Sequence, residues 1–387
     1  MYELAGDLRE KGHTVTVLTS FPGYNLSGLK ACEGIGEMSN EQGILVLRAS
    51  TMQLKKVNYL RRGLAEVALP YNFQRLLKRY EDVSEFDAIW VLSPPLPLAL
   101  LGAWIKRSAN CPFILNAQDL FPQNAIDLGI IKNRLVIACY EFMERLAYRS
   151  SDFVMVHSVH NRDFLIKRKM VPSNKVFVQY NWIDMVPFEK AHRTGRFRKR
   201  FGIKDETVVL FGGVLGPSQG LEVVVQLAER FRGDDSLRFL LVGDGTRKRR
   251  IQTMVKTKKL ENVIFAPFVS KEEYPFLVKD ADIGLSCLSA EVKTPVVPGK
   301  IQGYMAACRP ILGILNRQSD GHQLISEAGA GISVVAGDFE SAVRALYRLK
   351  SDAELRNHMG QAGYRYARMN LERSRSVDNI LDVLGVR

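Results

Sequence analysis

Residues 208–245 read VVLFGGVLGPSQGLEVVVQLAERFRGDDSLRFLLVGDG. Val208, Val209, Leu210 and Phe211 lead into Gly212, so a buried strand is expected over 208–212. The glycine-rich turn Gly213-Val214-Leu215-Gly216-Pro217-Ser218-Gln219-Gly220 follows. Apolar residues spaced three and four apart then predict a helix over 220–231. Residues 238–242 form a second apolar strand that ends in Gly243-Asp244-Gly245. Strand, glycine turn, helix and strand in succession make a crossover unit, and such units build parallel sheets.

Working outward, the same alternation holds on both sides. Beyond 245 it predicts a helix at 247–258, a strand at 263–266, a helix at 272–279 and a strand at 283–286. It continues with a helix at 300–307, strands at 310–313 and 332–335, and helices at 339–349, 355–370 and 376–384. Upstream, strands are expected at 14–19, 43–49, 88–92, 113–116, 153–157 and 176–179. Helices are expected at 58–80, 96–106, 134–149 and 161–169. The polar, basic segment 189–204 separates the two runs. The predicted organisation is therefore an α/β N-terminal domain over 1–188, a linker over 189–204 and a second domain over 205–366. A terminal helix, 367–387, is expected to cross back to the first domain. Two doubly wound sheets would face one another across a ligand cleft at the carboxyl ends of their strands. Residues 2–10 read as a helix closed by Gly12, ahead of any strand. A first strand and its loop are accordingly expected to be missing from the sequence as given.

Composition sets bounds. The chain has 387 residues, 46% hydrophobic and 25% charged, an ordinary globular mix. Cys32, Cys111, Cys139, Cys287 and Cys308 are scattered without metal-ligand spacing, which fits a reducing cytoplasm. No apolar leader is visible at the start. The apolar stretch 88–105 is broken by Pro94, Pro95 and Pro97 and is too short to span a bilayer. The net charge is +13, of which residues 1–190 contribute +4 and the rest +9. A basic excess favours anionic partners. Without an RNA-binding signature, phosphorylated small molecules and acidic lipid come before nucleic acid.

Four segments carry candidate chemistry. In 211–222 the glycines Gly213, Gly216 and Gly220 let backbone approach a ligand, and free N–H groups at a helix start suit a diphosphate. A plain tight turn would give the same pattern. Gly243 and Gly245 form a second such turn, followed by the basic pair Arg247 and Lys248. Phe268 and Val269 end a third strand, where backbone groups can bond a nucleobase; a core strand end explains them equally well. In 294–307 a proline-glycine loop opens a small-residue helix at Lys300. A lysine there is unfavourable to the helix, which points to a clamp for an anion rather than a stray surface charge.

In this order, the four segments resemble the family 4 retaining glycosyltransferases of the GT-B fold, with two Rossmann-like domains. Residues 239–285 and 323–338 match that family's donor half. Thr19-Ser20-Phe21-Pro22, Ser93-Pro94-Pro95, Gln118-Asp119-Leu120-Phe121-Pro122 and Asn181-Trp182-Ile183-Asp184 resemble a bacterial surface-polysaccharide branch that includes N-acetyl-fucosamine transferases. The resemblance implies a nucleotide-diphosphate sugar donor, with UDP the family's usual carrier, and no metal or other cofactor. It implies transfer with retention to a lipid-diphosphate-linked saccharide, and a place at the cytoplasmic face of the membrane. Two glutamates common in the family fall at Pro295 and Gly303, and the basic residues usual in the first glycine loop fall near Pro217 and at Gln219. Lys300 is left as the main counter-charge, with Arg247 or Lys248 beside it. The donor set expected on this basis is Gly213, Gly216, Gln219, Gly220, Gly243, Gly245, Arg247, Phe268, Val269, Glu291, Gly303 and Tyr304.

Lys300 is expected to stabilise the leaving diphosphate, and Asp119 to position the acceptor hydroxyl or receive its proton. A helix or turn cap is the plainer role for Asp119. His157 and His160 are weaker candidates for a base. Lys55, Lys56, Arg61, Arg62, Arg75, Lys78 and Arg79 surround apolar residues on the helix expected at 58–80, a pattern that suits an anionic membrane as well as a core-facing surface helix. Three other readings remain: a nucleotide-sugar epimerase of the same fold, a non-catalytic nucleotide-binding relative, and a basic nucleic-acid-binding protein.

Overall fold

A computed structural model describes residues 2–21, 36–51 and 59–385; the side chains of residues 2, 59–62 and 64 fall outside that description. Thirteen strands are described: Thr16–Ser20 (β1), Met38–Glu41 (β2), Ile44–Ala49 (β3), Ile89–Ser93 (β4), Phe113–Ala117 (β5), Phe153–Val156 (β6), Val176–Val178 (β7), Thr207–Gly212 (β8), Leu237–Val242 (β9), Val263–Ala266 (β10), Ile283–Cys287 (β11), Ile311–Leu315 (β12) and Gly331–Val335 (β13). They form three sheets, ordered β1-β3-β2, β4-β5-β6-β7 and β10-β9-β8-β11-β12-β13. Every pairing is parallel except β2 with β3, a short hairpin turned by Gln42 and Gly43, both at positive φ. Among the described residues, one edge of β1 and one edge of β4 carry no partner strand.

The six-stranded sheet shows why its segments read as near-continuous apolar runs. Helices cover both faces, so β8, β11 and β12 bury almost every residue. Phe211, Phe239 and Leu285 pack with helix Glu222–Arg230 on one face. Leu210, Tyr304 and Ile311 pack with helices Tyr274–Asp280 and Lys300–Ala306 on the other. Chain order runs β8, β9, β10 toward one edge and β11, β12, β13 toward the other. The loops after β8 and β11 therefore part in opposite directions and leave a crevice between them, the usual place for a ligand in such a sheet.

The two halves touch at their strand ends. His160 lies just past the carboxyl end of β6, and its ring bonds Asp320, just past the carboxyl end of β12. Lys271, beyond β10, pairs with Glu3 at the start of helix Tyr2–Glu10. The carboxyl edges of the sheets thus face each other. The chain's last helix, Arg373–Leu384, lies on the N-terminal half. Ile380 packs with Ile114 and Met155, Asp378 pairs with Lys11 at 2.5 Å, and Arg373 pairs with Asp7 at 2.7 Å. Among the described residues no helix is long and apolar enough to cross a membrane.

Candidate functional site

The loops after β8 and β9 are interlocked. The Gly213 N–H donates to Val242 O at 2.9 Å, Leu215 N–H to Asp244 O at 2.9 Å, and Arg247 N–H to Leu215 O at 3.0 Å. A Cβ on Gly243 would lie 1.9 Å from Gly213 O, and one on Gly245 would lie 2.4 Å from Leu215 O. Backbone packing against backbone accounts for both glycines. They support the first loop rather than offering themselves to a ligand. Lys248 is drawn into the same support, since its Nζ donates to Gly243 O at 3.0 Å. Arg247 carries no such bond and stays partly exposed beside the loop.

Lys300 comes up beneath this platform. Its Nζ donates to Gln219 Oε1 at 2.7 Å and sits 4.6 Å from the centre of the Phe211 ring. A Cβ on Gly213 would stand 2.9 Å from Lys300 Cε and 3.3 Å from Nζ, so Gly213 lets the ammonium reach the loop. Burial holds its pKa below the usual lysine value. Among the described residues no carboxylate is paired with it, and a half-buried cation without a counter-charge is costly. Such an arrangement can accept an anion. Gly220, at φ +56, presses against the backbone of Ser289, and Ser289 N–H donates to Ser218 O at 2.8 Å. That contact ties the β8 loop to the β11 loop across the crevice.

Other expected donor residues separate into two groups. Val269 lines the partly buried rim beyond β10, Phe268 is 53% exposed, and Glu291 is exposed in the β11 loop. Tyr304 belongs to the core. It is fully buried beneath Gly284, and its hydroxyl is used by Gly212 N–H, Leu210 O and Leu285 O. It cannot reach a donor without breaking the sheet end. Residues 216–220 also differ from the expected helix start. Pro217–Gln219 form a single 3-10 turn, and the α-helix begins only at Glu222.

On the opposite wall, Asp119 follows β5. Its carboxylate has no hydrogen-bond partner among the described residues, and it does not cap the helix Gln123–Asp127. Surrounding protein pushes its pKa up although the side chain reaches solvent, the combination expected on a concave wall. His157 is wired into the fold: Nδ1 lies 2.9 Å from Gln179 O, and Nε2 lies 2.8 Å from Asn116 Oδ1. A carbonyl can only accept, so Nδ1 carries the ring proton and donates to Gln179 O. Burial pushes its pKa down to about 4. It is a structural histidine. His160 is committed to Asp320 across the domain contact.

The basic helix is Tyr59–Tyr80, and much of it behaves as a core-facing surface helix. Leu69, Phe73, Leu76 and Leu77 are buried. Arg79 pairs with Glu37 at 2.6 Å, and Lys78 lies over the Trp104 ring. Arg75 is exposed. Lys55 and Lys56, and the side chains of Arg61 and Arg62, lie outside the described residues. Sequence reasoning located the neighbouring helix Arg134–Ser150 but missed its exposed apolar face. Leu135 is 81% exposed, Phe142 61% and Leu146 37%, at helical spacing on one face. Lys132, Arg134, Arg145 and Arg149 border that stripe and are exposed. The signal was available, since this helix has apolar residues on both faces and a core needs only one.

Comparison with known proteins agrees with this geometry. Residues 1–182 match a glycosyl transferase 4-like domain, and residues 194–366 match glycosyl transferases group 1. The chain is 25% identical over 317 residues to a putative colanic acid biosynthesis glycosyl transferase, WcaI, of Escherichia coli (strain K12), covering 79% of this chain and 76% of that one. Sucrose-phosphate synthase from Thermosynechococcus elongatus superposes with a TM-score of 0.77 at 14% identity, over 98% of this chain and 90% of that one. Anabaena Alr3699/HepE in complex with UDP-glucose gives 0.71 at 14% identity, over 96% of this chain and 100% of that one. The matched domain models and the relative in Escherichia coli carry glycosyl transferase names, and the epimerase reading is not favoured. With one transferase domain matched in each half and the GT-B arrangement of facing sheets, the chain belongs to the GT-B glycosyltransferases.

Proposed function

We propose that this glycosyltransferase takes its sugar from a UDP-linked donor and passes it, with retention, to a lipid-linked saccharide during assembly of a bacterial surface polysaccharide. The observation that carries the donor half is Lys300: a half-buried ammonium with no carboxylate partner among the described residues, set under the open Gly213 loop at the crevice between β8 and β11. The relative in Escherichia coli named for colanic acid biosynthesis and the HepE structure named for its UDP-glucose complex support the choice of substrate classes.

In this reading the bond from the sugar's anomeric carbon to the diphosphate breaks as Lys300 offsets the growing negative charge. The acceptor oxygen bonds the same face of that carbon, and Asp119 takes its proton. The raised pKa of Asp119 suits a base, provided the pH stays above it. Asp119, the Lys300 cluster and the donor rim all lie at strand ends that face one another.

The acceptor would arrive from an anionic membrane met by the stripe Leu135, Phe142 and Leu146 and its basic border. Phe121, two residues beyond Asp119, packs edge-on against Tyr140 of the same helix at 4.9 Å. The proposed lipid face and the proposed base are therefore neighbours.

The test is UDP release from a panel of UDP-sugars, with and without bacterial lipid extract. Acceptor-dependent UDP release with an α-linked product from an α-linked donor is expected. Release of an altered free nucleotide sugar without acceptor would overturn the reading.

A further inference from the structure

We propose that Tyr274 binds a ribose hydroxyl of the donor nucleotide through its phenol, which occupies the space left open by Gly303 and Gly212. This inference rests on the donor site described above and adds a contact that the glycine loops and Lys300 do not supply.

Tyr274 opens the helix Tyr274–Asp280, and its N–H donates to Ser270 O at 3.0 Å. The ring stands edge-on to Phe188, with centres 6.3 Å apart. Its hydroxyl end lies between two glycines. A Cβ on Gly303 would meet Tyr274 Oη at 3.4 Å, and a Cβ on Gly212 would meet it at 3.8 Å. Both glycines sit at the carboxyl edge of the donor sheet, Gly212 ending β8 and Gly303 one helical turn beyond Lys300.

A phenol set among apolar neighbours normally finds a partner. Tyr304 beside it does so, with three backbone groups around its hydroxyl. The Tyr274 hydroxyl has none among the described residues, while burial raises its pKa far above the usual phenol value and keeps it a neutral donor. Tyr274 is nevertheless partly open to solvent, so a ligand can reach it.

Its position names the ligand group. Phe268 and Val269, the expected base contacts, lie on the loop that leads into the Tyr274 helix. Lys300 and Gly213, the expected diphosphate contacts, lie next to Gly303 and Gly212 along the chain. A group between the base end and the phosphate end of a nucleotide meets the ribose.

Calorimetric titration with UDP, 2′-deoxy-UDP and 3′-deoxy-UDP tests the assignment. The wild-type chain should bind UDP about fivefold more tightly than one of the two deoxy analogues, the yield of one neutral hydrogen bond. Tyr274→Phe should lose about the same factor for UDP and show no preference over that analogue. Phe keeps the ring and its contact with Phe188, so a loss of fold is not expected, and an unchanged melting temperature would document that. UDP affinity and ribose discrimination both unchanged in Tyr274→Phe would overturn this inference alone. A wild-type chain with no affinity for UDP would overturn the donor site itself, and this inference with it.

Discussion

Lys300 is costly to the fold and, in the proposed donor site, useful to the reaction. Its pKa is lowered by burial, so below that value the folded state carries a desolvated charge that the unfolded chain hydrates freely. As pH rises through the window between the lowered value and the ordinary lysine value, the folded form releases its proton first. The unfolded form then holds more protons, so this residue's contribution to stability rises with pH. The cation needed for a diphosphate is lost over the same window, so donor affinity should fall there. Lys300→Met removes the charge and keeps the bulk. The variant is expected to melt no lower than the wild type at neutral pH and to bind UDP about 10- to 100-fold more weakly, the range for a hydrogen bond to a charged group. Its affinity should also lose the alkaline decline. Thermal melts and titrations across pH measure both, and a variant that binds UDP as well as the wild type would remove Lys300 from the site.

Elements explain which parts of the site were legible in the sequence. The glycine turns after β8 and β9 could be located because a strand that ends in glycines before a helix leaves a clear pattern. Their separate tasks could not be read. Gly213 opens space for Lys300, whereas Gly243 and Gly245 make room for the neighbouring loop, and only the 1.9 Å and 2.4 Å approaches distinguish them. Tyr304 looked accessible because it follows Lys300 by four residues, yet its side of the helix turns into the sheet under Gly284. The β2–β3 hairpin was missed because Met38–Glu41 has little apolar content to mark a strand. The helix Arg134–Ser150 was located, but which of its two apolar faces meets the core depends on tertiary packing. Its exposed face carries the membrane prediction. Burial of one Leu or Phe contributes about 1.5–3 kcal/mol, and a basic residue near acidic lipid adds about 1 kcal/mol. The double variant Leu135→Asp, Phe142→Asp should therefore abolish cosedimentation with phosphatidylserine-containing vesicles. Both side chains are largely exposed, so the melting temperature should hardly change. Undiminished vesicle binding by that variant would show that the membrane is met elsewhere.

At the scale of the molecule, several contacts among the described residues join the two halves. Ile183 pairs with Glu372, the final helix packs on Ile114 and Met155, and the His160–Asp320 and Lys271–Glu3 contacts bridge the facing strand ends. The facing of the two halves was legible because the strand–helix alternation restarts after the basic segment 189–204. The bridging contacts were not, since they join residues more than 100 positions apart without local pattern. This arrangement leaves the proposed donor and acceptor groups on opposite walls of one cleft. The whole account depends on where a nucleoside diphosphate lies in it, and a crystal structure with UDP bound measures that directly. The account predicts diphosphate oxygens within hydrogen-bond distance of Lys300 Nζ and the Gly213 loop, with the ribose toward Tyr274. A diphosphate bound away from Lys300, with the Lys300–Gln219 contact undisturbed, would contradict it.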